Sequence, residues 1–198
     1  MRGSVGMAFA CALVLSLTGC MMPKEVTAKL DVKKDGTYAF NYDGSIVSLA
    51  MLADQEDGKL DKESEKKLAD DIVSELKKDK SASNVSYLGN SVFKISYNVS
   101  GNVNGEGMLV GMREMPLFTF EKSLDGSTAV FQFLPDMEYE MLAEEFPASG
   151  LSPKGTVTVV TELPVESSLG SPKTSGNSYS WKIDGIKDQM PVLTLKLK

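Results

Sequence analysis

An alternation of apolar and polar residues, repeated on both sides of a short turn, is the strongest constraint on the fold. Every second residue is apolar between residues 26 and 32, and the same period of two returns between residues 38 and 42. The intervening Lys34-Asp35-Gly36 ends in a glycine, which supplies the positive φ that a tight hairpin requires. A period of two is typical of strands with one buried face, so this segment predicts a β-hairpin.

One segment, from Asp61 to Lys80, has a helical pattern instead. Its apolar residues recur every three or four positions and form one stripe, while Glu and Lys fill the other face. Asp61 is suited to cap the N-terminus of this helix. Residues 46–53 fit either a continued strand or one short helix, and residues 137–146 predict a second short helix that ends at Pro147.

The rest of the chain returns to the pattern of strands separated by Gly, Ser and Pro. The predicted strands cover residues 85–87, 92–99, 117–122, 128–134, 156–163, 178–183 and 192–197. We therefore predict a single α+β domain over residues 26–198: a twisted antiparallel β-sheet packed against one main amphipathic helix (about 61–80), with a second short helix.

The first twenty residues differ from the rest of the chain. One basic residue, Arg2, precedes an apolar run from Met7 to Leu17, which is too short to span a bilayer as a mature helix. The run ends in Leu-Thr-Gly-Cys at residues 17–20. This is the pattern of a bacterial lipoprotein signal peptide. An ordinary secretory peptide with a coincidental cysteine, or a buried N-terminal strand, is the alternative.

The lipoprotein interpretation predicts where the mature chain is held. Residues 1–19 would be removed, Cys20 would carry palmitate-type acyl chains, and residues 20–25 would form a lipidated tether. Each buried methylene contributes about 0.8 kcal/mol, so several chains on one cysteine anchor the protein firmly. Because Met21 is not acidic, we expect the outer membrane of the cell envelope, with the domain facing the periplasm.

Composition excludes several classes of function. The chain has no histidine and only two cysteines. On the lipoprotein interpretation, Cys11 would leave with the signal peptide and Cys20 would be acylated. Histidine–serine triads, cysteine nucleophiles and zinc sites built from His or Cys are therefore excluded. The net charge of −6 argues against nucleic acid as a partner. We expect no cofactor, no metal and no enzymatic activity.

The segment from residue 101 to residue 116 is the candidate contact region. It is rich in Gly and Asn and then in methionine, whose flexible thioether adapts to varied apolar shapes. The candidate contacts for an apolar ligand or partner are Met108, Leu109, Met112 and Met115. A loop that folds its methionines into the core is the favoured alternative. A third, less favoured interpretation is a Cu(I) site, in which the methionines lie on one face of a helix and bind the metal through their thioethers. Trp181, inside an alternating strand, is favoured as a core residue over a stacking residue for sugar or lipid.

Three stretches together resemble an uncharacterised family of proteobacterial lipoproteins. They are residues 35–44, Tyr87-Leu88-Gly89 and residues 181–184. More loosely, they resemble the LppM-like lipoprotein domain, an α+β module of bacterial envelopes. The resemblance implies fold and location, and it brings no catalytic residue. LppM-like members often end in a transmembrane helix, whereas this sequence ends in an alternating strand pattern.

Two hypotheses of function follow from these observations. The first is a non-catalytic, membrane-anchored envelope lipoprotein with a binding or structural role that involves lipid or lipoglycan. The second is an accessory subunit that docks on an envelope protein complex. A lipid binder requires an apolar cavity, whereas an accessory subunit requires an exposed apolar patch of several hundred Å².

Overall fold

Two β-sheets and two helices make up the described part of the molecule. A computed structural model describes residues 21–103, 108–112, 115–133, 152–185 and 190–197. The predicted signal peptide, the predicted lipidation site Cys20 and the predicted helix at 137–146 lie outside these residues. The α+β class predicted from the sequence is confirmed, with strands predominating.

The larger sheet has seven strands in the order β10-β11-β8-β1-β2-β4-β3. Its strands are β1 (Met21–Val32), β2 (Thr37–Ser48), β3 (Ala82–Gly89), β4 (Val92–Asn102), β8 (Lys154–Thr161), β10 (Lys173–Ser175) and β11 (Ser178–Ile183). The predicted hairpin is β1–β2, with Leu30 paired to Phe40.

The smaller sheet has five strands in the order β5-β6-β7-β12-β9. Its strands are β5 (Met108–Met112), β6 (Met115–Lys122), β7 (Thr128–Phe133), β9 (Val165–Leu169) and β12 (Val192–Lys196). The prediction of one antiparallel sheet is therefore wrong in two respects. There are two sheets, and β1 pairs with β8 in parallel, because alternation fixes the faces of a strand and not its partner or direction.

Both helices begin where a side chain caps them. Helix α1 (Leu49–Glu56) starts at Ser48, whose hydroxyl accepts from the Met51 N–H at 3.3 Å. The ambiguous segment 46–53 is thus the end of a strand followed by a helix. Helix α2 (Lys62–Leu76) starts at Asp61, which accepts from the Ser64 N–H at 2.8 Å and confirms the predicted cap. It contacts β3, and its buried residues are Ala69, Ile72 and Leu76.

The start of β1 differs from the predicted tether. Residues 21–25 are strand paired with β2, and both Met21 and Met22 are buried. A register shift between Pro23 and Glu25 interrupts the alternation, which is why the sequence pattern begins only at Val26.

Two glycines flank β1 at this irregularity. Gly44 of β2 and Gly155 of β8 are both in register with Val26, one on each side. A Cβ at Gly44 would lie 1.9 Å from the carbonyl oxygen of Glu25, and one at Gly155 would lie 1.8 Å from that of Val26. No side chain larger than hydrogen fits at either position, so the centre of the large sheet depends on both glycines.

The β6–β7 turn, Leu124-Asp125-Gly126-Ser127, joins its two antiparallel strands in a hairpin. Asp125 Oδ1 accepts from the Ser123 hydroxyl at 2.6 Å, and from the N–H and hydroxyl of Ser127 at 3.0 Å and 2.8 Å. These hydrogen bonds lower the pKa of Asp125 from 3.8 to about 2.

This carboxylate makes one contribution to stability dependent on pH. Since its pKa is lower in the folded protein, its contribution is complete above about pH 4 and is lost as the pH falls towards 2. We expect the free energy of unfolding to fall across that window, and by less in Asp125→Asn. A carboxyl carbon resonance of Asp125 titrating near pH 4 in the folded protein would contradict this prediction.

Candidate functional site

The candidate site is a small apolar cavity between the two sheets. Its volume is ≈ 20 Å³. Residues from both sheets line it: Leu30, Phe40, Val157, Val159 and Trp181 from the large sheet, and Phe118, Phe131, Phe133, Pro191 and Leu193 from the small sheet and its approach. All ten are apolar, and a cavity of this kind stays dry even where a water molecule would fit.

Aromatic rings form one wall of the cavity. The ring of Phe118 lies 4.7 Å from that of Phe40 across the two sheets and 6.1 Å from that of Phe131 within the small sheet, measured between centroids. Phe120 stacks on Phe131 at 5.2 Å. Such offset and tilted pairs contribute about 0.5–1.5 kcal/mol each beyond their burial. The joint between the sheets is therefore aromatic, with Phe118 at its centre.

Trp181 also lines the cavity and joins the two sheets by a hydrogen bond. It is buried on β11, as predicted for a core residue. Its Nε1–H donates to the carbonyl oxygen of Leu169 on β9 at 2.7 Å. Because this indole is the only tryptophan in the chain, its fluorescence reports directly on the cavity.

The cavity lies far from the N-terminal end of the large sheet. Leu30, one of the lining residues, is nine positions after Met21 on β1. At about 3.3 Å per residue, the two positions are about 30 Å apart along the strand. A ligand in the cavity would therefore sit well away from an anchor at Cys20.

The predicted methionine contacts occupy a β-hairpin. Met108, Leu109 and Met112 lie on β5, and Met115 begins β6, with Met108 paired to Phe120 and Met112 paired to Met115. The helical spacing considered for copper is therefore wrong. The interpretation as a loop is wrong as well for residues 108–112, because they form strand β5. Met115 likewise belongs to strand β6. The side chains of these four residues lie outside the described part of the structure, so their contact role stays a prediction.

Charged groups among the described residues form no comparable site. No group of three or more Asp or Glu residues in that part of the chain is placed to hold a metal ion. The ion pairs there are at the surface, such as Lys33–Glu162 at 3.1 Å. No helix in the described ranges is long and apolar enough to cross a membrane.

One buried hydroxyl lies beside the aromatic wall. Tyr38 packs edge-on against Phe118 at 6.0 Å, and its hydroxyl has no hydrogen-bond partner among the described residues. Burial raises the pKa of the Tyr38 phenol, and the nearby Tyr97 adds to the rise. Four positions further along β2, the Tyr42 hydroxyl instead donates to the carbonyl oxygens of Glu25 at 2.9 Å and Ser45 at 3.0 Å.

These two tyrosines should respond in opposite directions to loss of the hydroxyl. We expect Tyr38→Phe to raise the free energy of unfolding by about 1 kcal/mol, since it removes a buried unpaired group. Tyr42→Phe should lower it by about 1–2 kcal/mol, since buried carbonyls lose their donor. Urea unfolding followed by Trp181 fluorescence measures both changes. Equal losses in the two variants would show that Tyr38 has a partner in the folded protein.

The residues that form the cavity were only partly recognisable from the sequence. The alternation in segments 117–122 and 128–134 identified their apolar faces, which include Phe118, Phe131 and Phe133. What the pattern did not show is that these strands belong to a second sheet that covers the first. The available signal was the concentration of phenylalanine on two adjacent predicted strands.

The fold and the cavity define an α+β protein of two β-sheets that meet at an aromatic joint. No protein-family model and no curated protein sequence matches this chain. The NMR structure of the folded domain of LppM from Mycobacterium tuberculosis is similar to it with a TM-score of 0.45 and 9% sequence identity. The match covers 99% of this chain and 95% of that one. A likeness at this level supports no conclusion about function.

Proposed function

We propose that this chain is a membrane-anchored lipoprotein of the bacterial envelope, and that its domain binds without catalysing a reaction. The ligand we propose is the apolar end of an envelope amphiphile, a lipid or lipoglycan, held between the two sheets. The observation behind the binding role is the apolar cavity at the aromatic joint. The anchoring role depends on the Leu-Thr-Gly-Cys sequence at residues 17–20.

The size of the cavity limits what it accepts. Its ≈ 20 Å³ exceeds the roughly 10–15 Å³ that one water molecule needs. It suits a methyl terminus or one to two methylenes, and a longer stretch requires the sheets to separate. Because the wall is entirely apolar, burial of such a terminus is favourable at about 0.8 kcal/mol per methylene.

The docking hypothesis has less support among the described residues. The large hydrophobic side chains that are exposed there are Leu88, Leu124 and Leu169. They lie on a β3–β4 hairpin, a β6–β7 turn and the end of β9, and isolated leucines of this kind do not form a docking patch.

The anchor is tested by labelling and fractionation. Cells that express the full chain are given radiolabelled palmitate, and Cys20→Ser serves as the matched variant. We expect the parent protein to incorporate the label and Cys20→Ser to incorporate none. We also expect the parent protein to stay in the membrane fraction, whereas Cys20→Ser should leave it once the signal sequence is removed. Absence of label in the parent protein would end the lipoprotein proposal.

The ligand is tested through the single tryptophan. A fatty acid with a nitroxide at mid-chain, which leaves its methyl end free to enter the cavity, should quench Trp181 fluorescence in the purified full chain. Val157→Ile adds one methylene to the cavity wall and should weaken the quenching. Val85→Ile makes the same change at a buried valine of β3 that does not line the cavity and should leave quenching unaltered. Quenching that is equal in all three proteins would contradict binding at the joint.

A further inference from the structure

The β3–β4 tip, residues Leu88–Ser91, presents one exposed leucine on an ordered turn. The side chain of Leu88 is 58% exposed, whereas the strands on both sides of the tip contribute buried residues such as Phe93. Gly89, Asn90 and Ser91 all have positive φ, at 94°, 50° and 60°. Three such residues in succession hold the chain in a tight, defined path.

Hydrogen bonds to the rest of the fold hold this tip in place. Ser91 is fully buried; its hydroxyl donates to Gln55 Oε1 of α1 at 2.7 Å, and its N–H donates to the Tyr87 hydroxyl at 3.2 Å. The Tyr87 hydroxyl in turn donates to Glu65 of α2. Both helices are thus tied to the tip, and Leu88 is displayed by a rigid support.

The tip lies at the end of the large sheet where the described chain begins. Met21 pairs with Ser48 of β2, and the Ser48 N–H donates to the carbonyl oxygen of Ser91 at 3.0 Å. Met21 is therefore about two strand spacings from Ser91, or about 10 Å. Cys20 directly precedes Met21 in the chain, so acyl chains on Cys20 would enter a bilayer next to this tip.

A second exposed leucine lies at the opposite end and provides an internal comparison. Leu124, in the β6–β7 turn, is fully exposed. In the same turn, the carbonyl oxygen of Ser127 accepts from the Leu197 N–H, and the adjoining Lys196 N–H donates to the carbonyl oxygen of Pro164. Two residues before Pro164, the Glu162 N–H donates to the carbonyl oxygen of Val32, the last residue of β1. These hydrogen bonds connect the turn of Leu124 to the C-terminal end of β1. Val32 is about 36 Å along β1 from Met21.

We propose that Leu88 is a second membrane contact, which inserts into the lipid surface beside the acyl anchor and fixes the orientation of the domain. The occupant is the bilayer that holds Cys20, because the chain leaves the fold next to the tip. This inference rests on the proposed lipidation of Cys20. It adds that the domain stands with its large-sheet strands directed away from the membrane, instead of swinging freely on its anchor.

The test uses the full-length lipidated protein and its lack of free thiols. Leu88→Cys and Leu124→Cys are each labelled with a polarity-sensitive fluorophore and reconstituted into phosphatidylethanolamine–phosphatidylglycerol vesicles. A portion of the vesicles contains phospholipid with a nitroxide near the headgroup. We expect a blue-shifted emission and strong nitroxide quenching at position 88, several-fold greater than at position 124. Both side chains are exposed, so circular dichroism should confirm that both variants fold.

The remaining outcomes separate the possible failures. Equal emission and quenching at the two positions, in protein that floats with the vesicles, would overturn the contact and leave the anchor intact. A blue shift at position 88 that grows with protein density and is unaffected by the nitroxide would show that the tip contacts a second copy of the chain. That result would also overturn the membrane contact. If the unsubstituted protein reacts with the thiol label and fails to float, Cys20 is not acylated, and the proposed function fails together with this inference.

Discussion

Gly155→Ala is expected to lower the free energy of unfolding by about 3–5 kcal/mol, a large part of the total stability of a domain of this size. The backbone at Gly155 has a φ of 146°, which side chains rarely adopt, and a Cβ there would overlap the carbonyl oxygen of Val26. Because that carbonyl belongs to the central strand β1, the clash can be relieved only by moving β1 or β8. Urea unfolding followed by Trp181 fluorescence measures the loss.

Gly176→Ala is the matched control for backbone conformation alone. Gly176 also has a positive φ, of 59°, but no atom outside its own neighbourhood lies within 4 Å of the Cβ position. Its substitution should cost only about 1 kcal/mol. If the two alanine variants lose equal stability, then close approach to β1 is not what requires glycine at position 155.

Phe118→Ala is also expected to lower the free energy of unfolding by about 3–5 kcal/mol, because it leaves an unfilled space between the sheets. Phe118 is buried, and its ring contacts those of Tyr38, Phe40 and Phe131. Its removal would enlarge the existing apolar cavity. Thermal unfolding monitored by circular dichroism measures the loss.

If a small apolar molecule restores the stability of Phe118→Ala, the space left by the ring must be an enlarged form of the cavity. An apolar cavity of benzene size stays dry and binds benzene, so benzene should raise the Tm of Phe118→Ala and leave that of the parent protein nearly unchanged. Phe118→Leu keeps most of the bulk and should show both a smaller loss and a smaller response. Collapse of the sheets in Phe118→Ala would be revealed by a small loss of stability without any benzene response.

The elements whose sequence pattern is local were predicted well. The β1–β2 hairpin follows from alternation around a turn ending in Gly36, and α2 follows from its apolar stripe and the cap at Asp61. Strand β11 lies at the predicted residues 178–183. In each case the information sits within a dozen neighbouring residues, where backbone preference and periodicity act.

The features that depend on distant residues were not predicted. The parallel pairing of β1 with β8 brings together residues more than 120 positions apart, such as Val26 and Gly155, and no local pattern encodes it. Strand β5 was obscured by glycines in its surroundings, and the three-residue β10 has no buried position that would give it a pattern. The cavity depends on both kinds of information. Its phenylalanines were recognisable from the sequence, whereas the packing of one sheet against the other was not.

The position of β1 also determines how the domain responds to mechanical force. It is paired with β2 on one side, with one register shift between Pro23 and Glu25, and residues 25–32 are paired with β8 on the other. A pull on the N-terminus is directed along this strand, so both rows of hydrogen bonds are loaded in shear and resist together. A strand at the rim of the sheet would instead peel away one bond at a time. The chain therefore enters its fold through the strand best placed to bear tension.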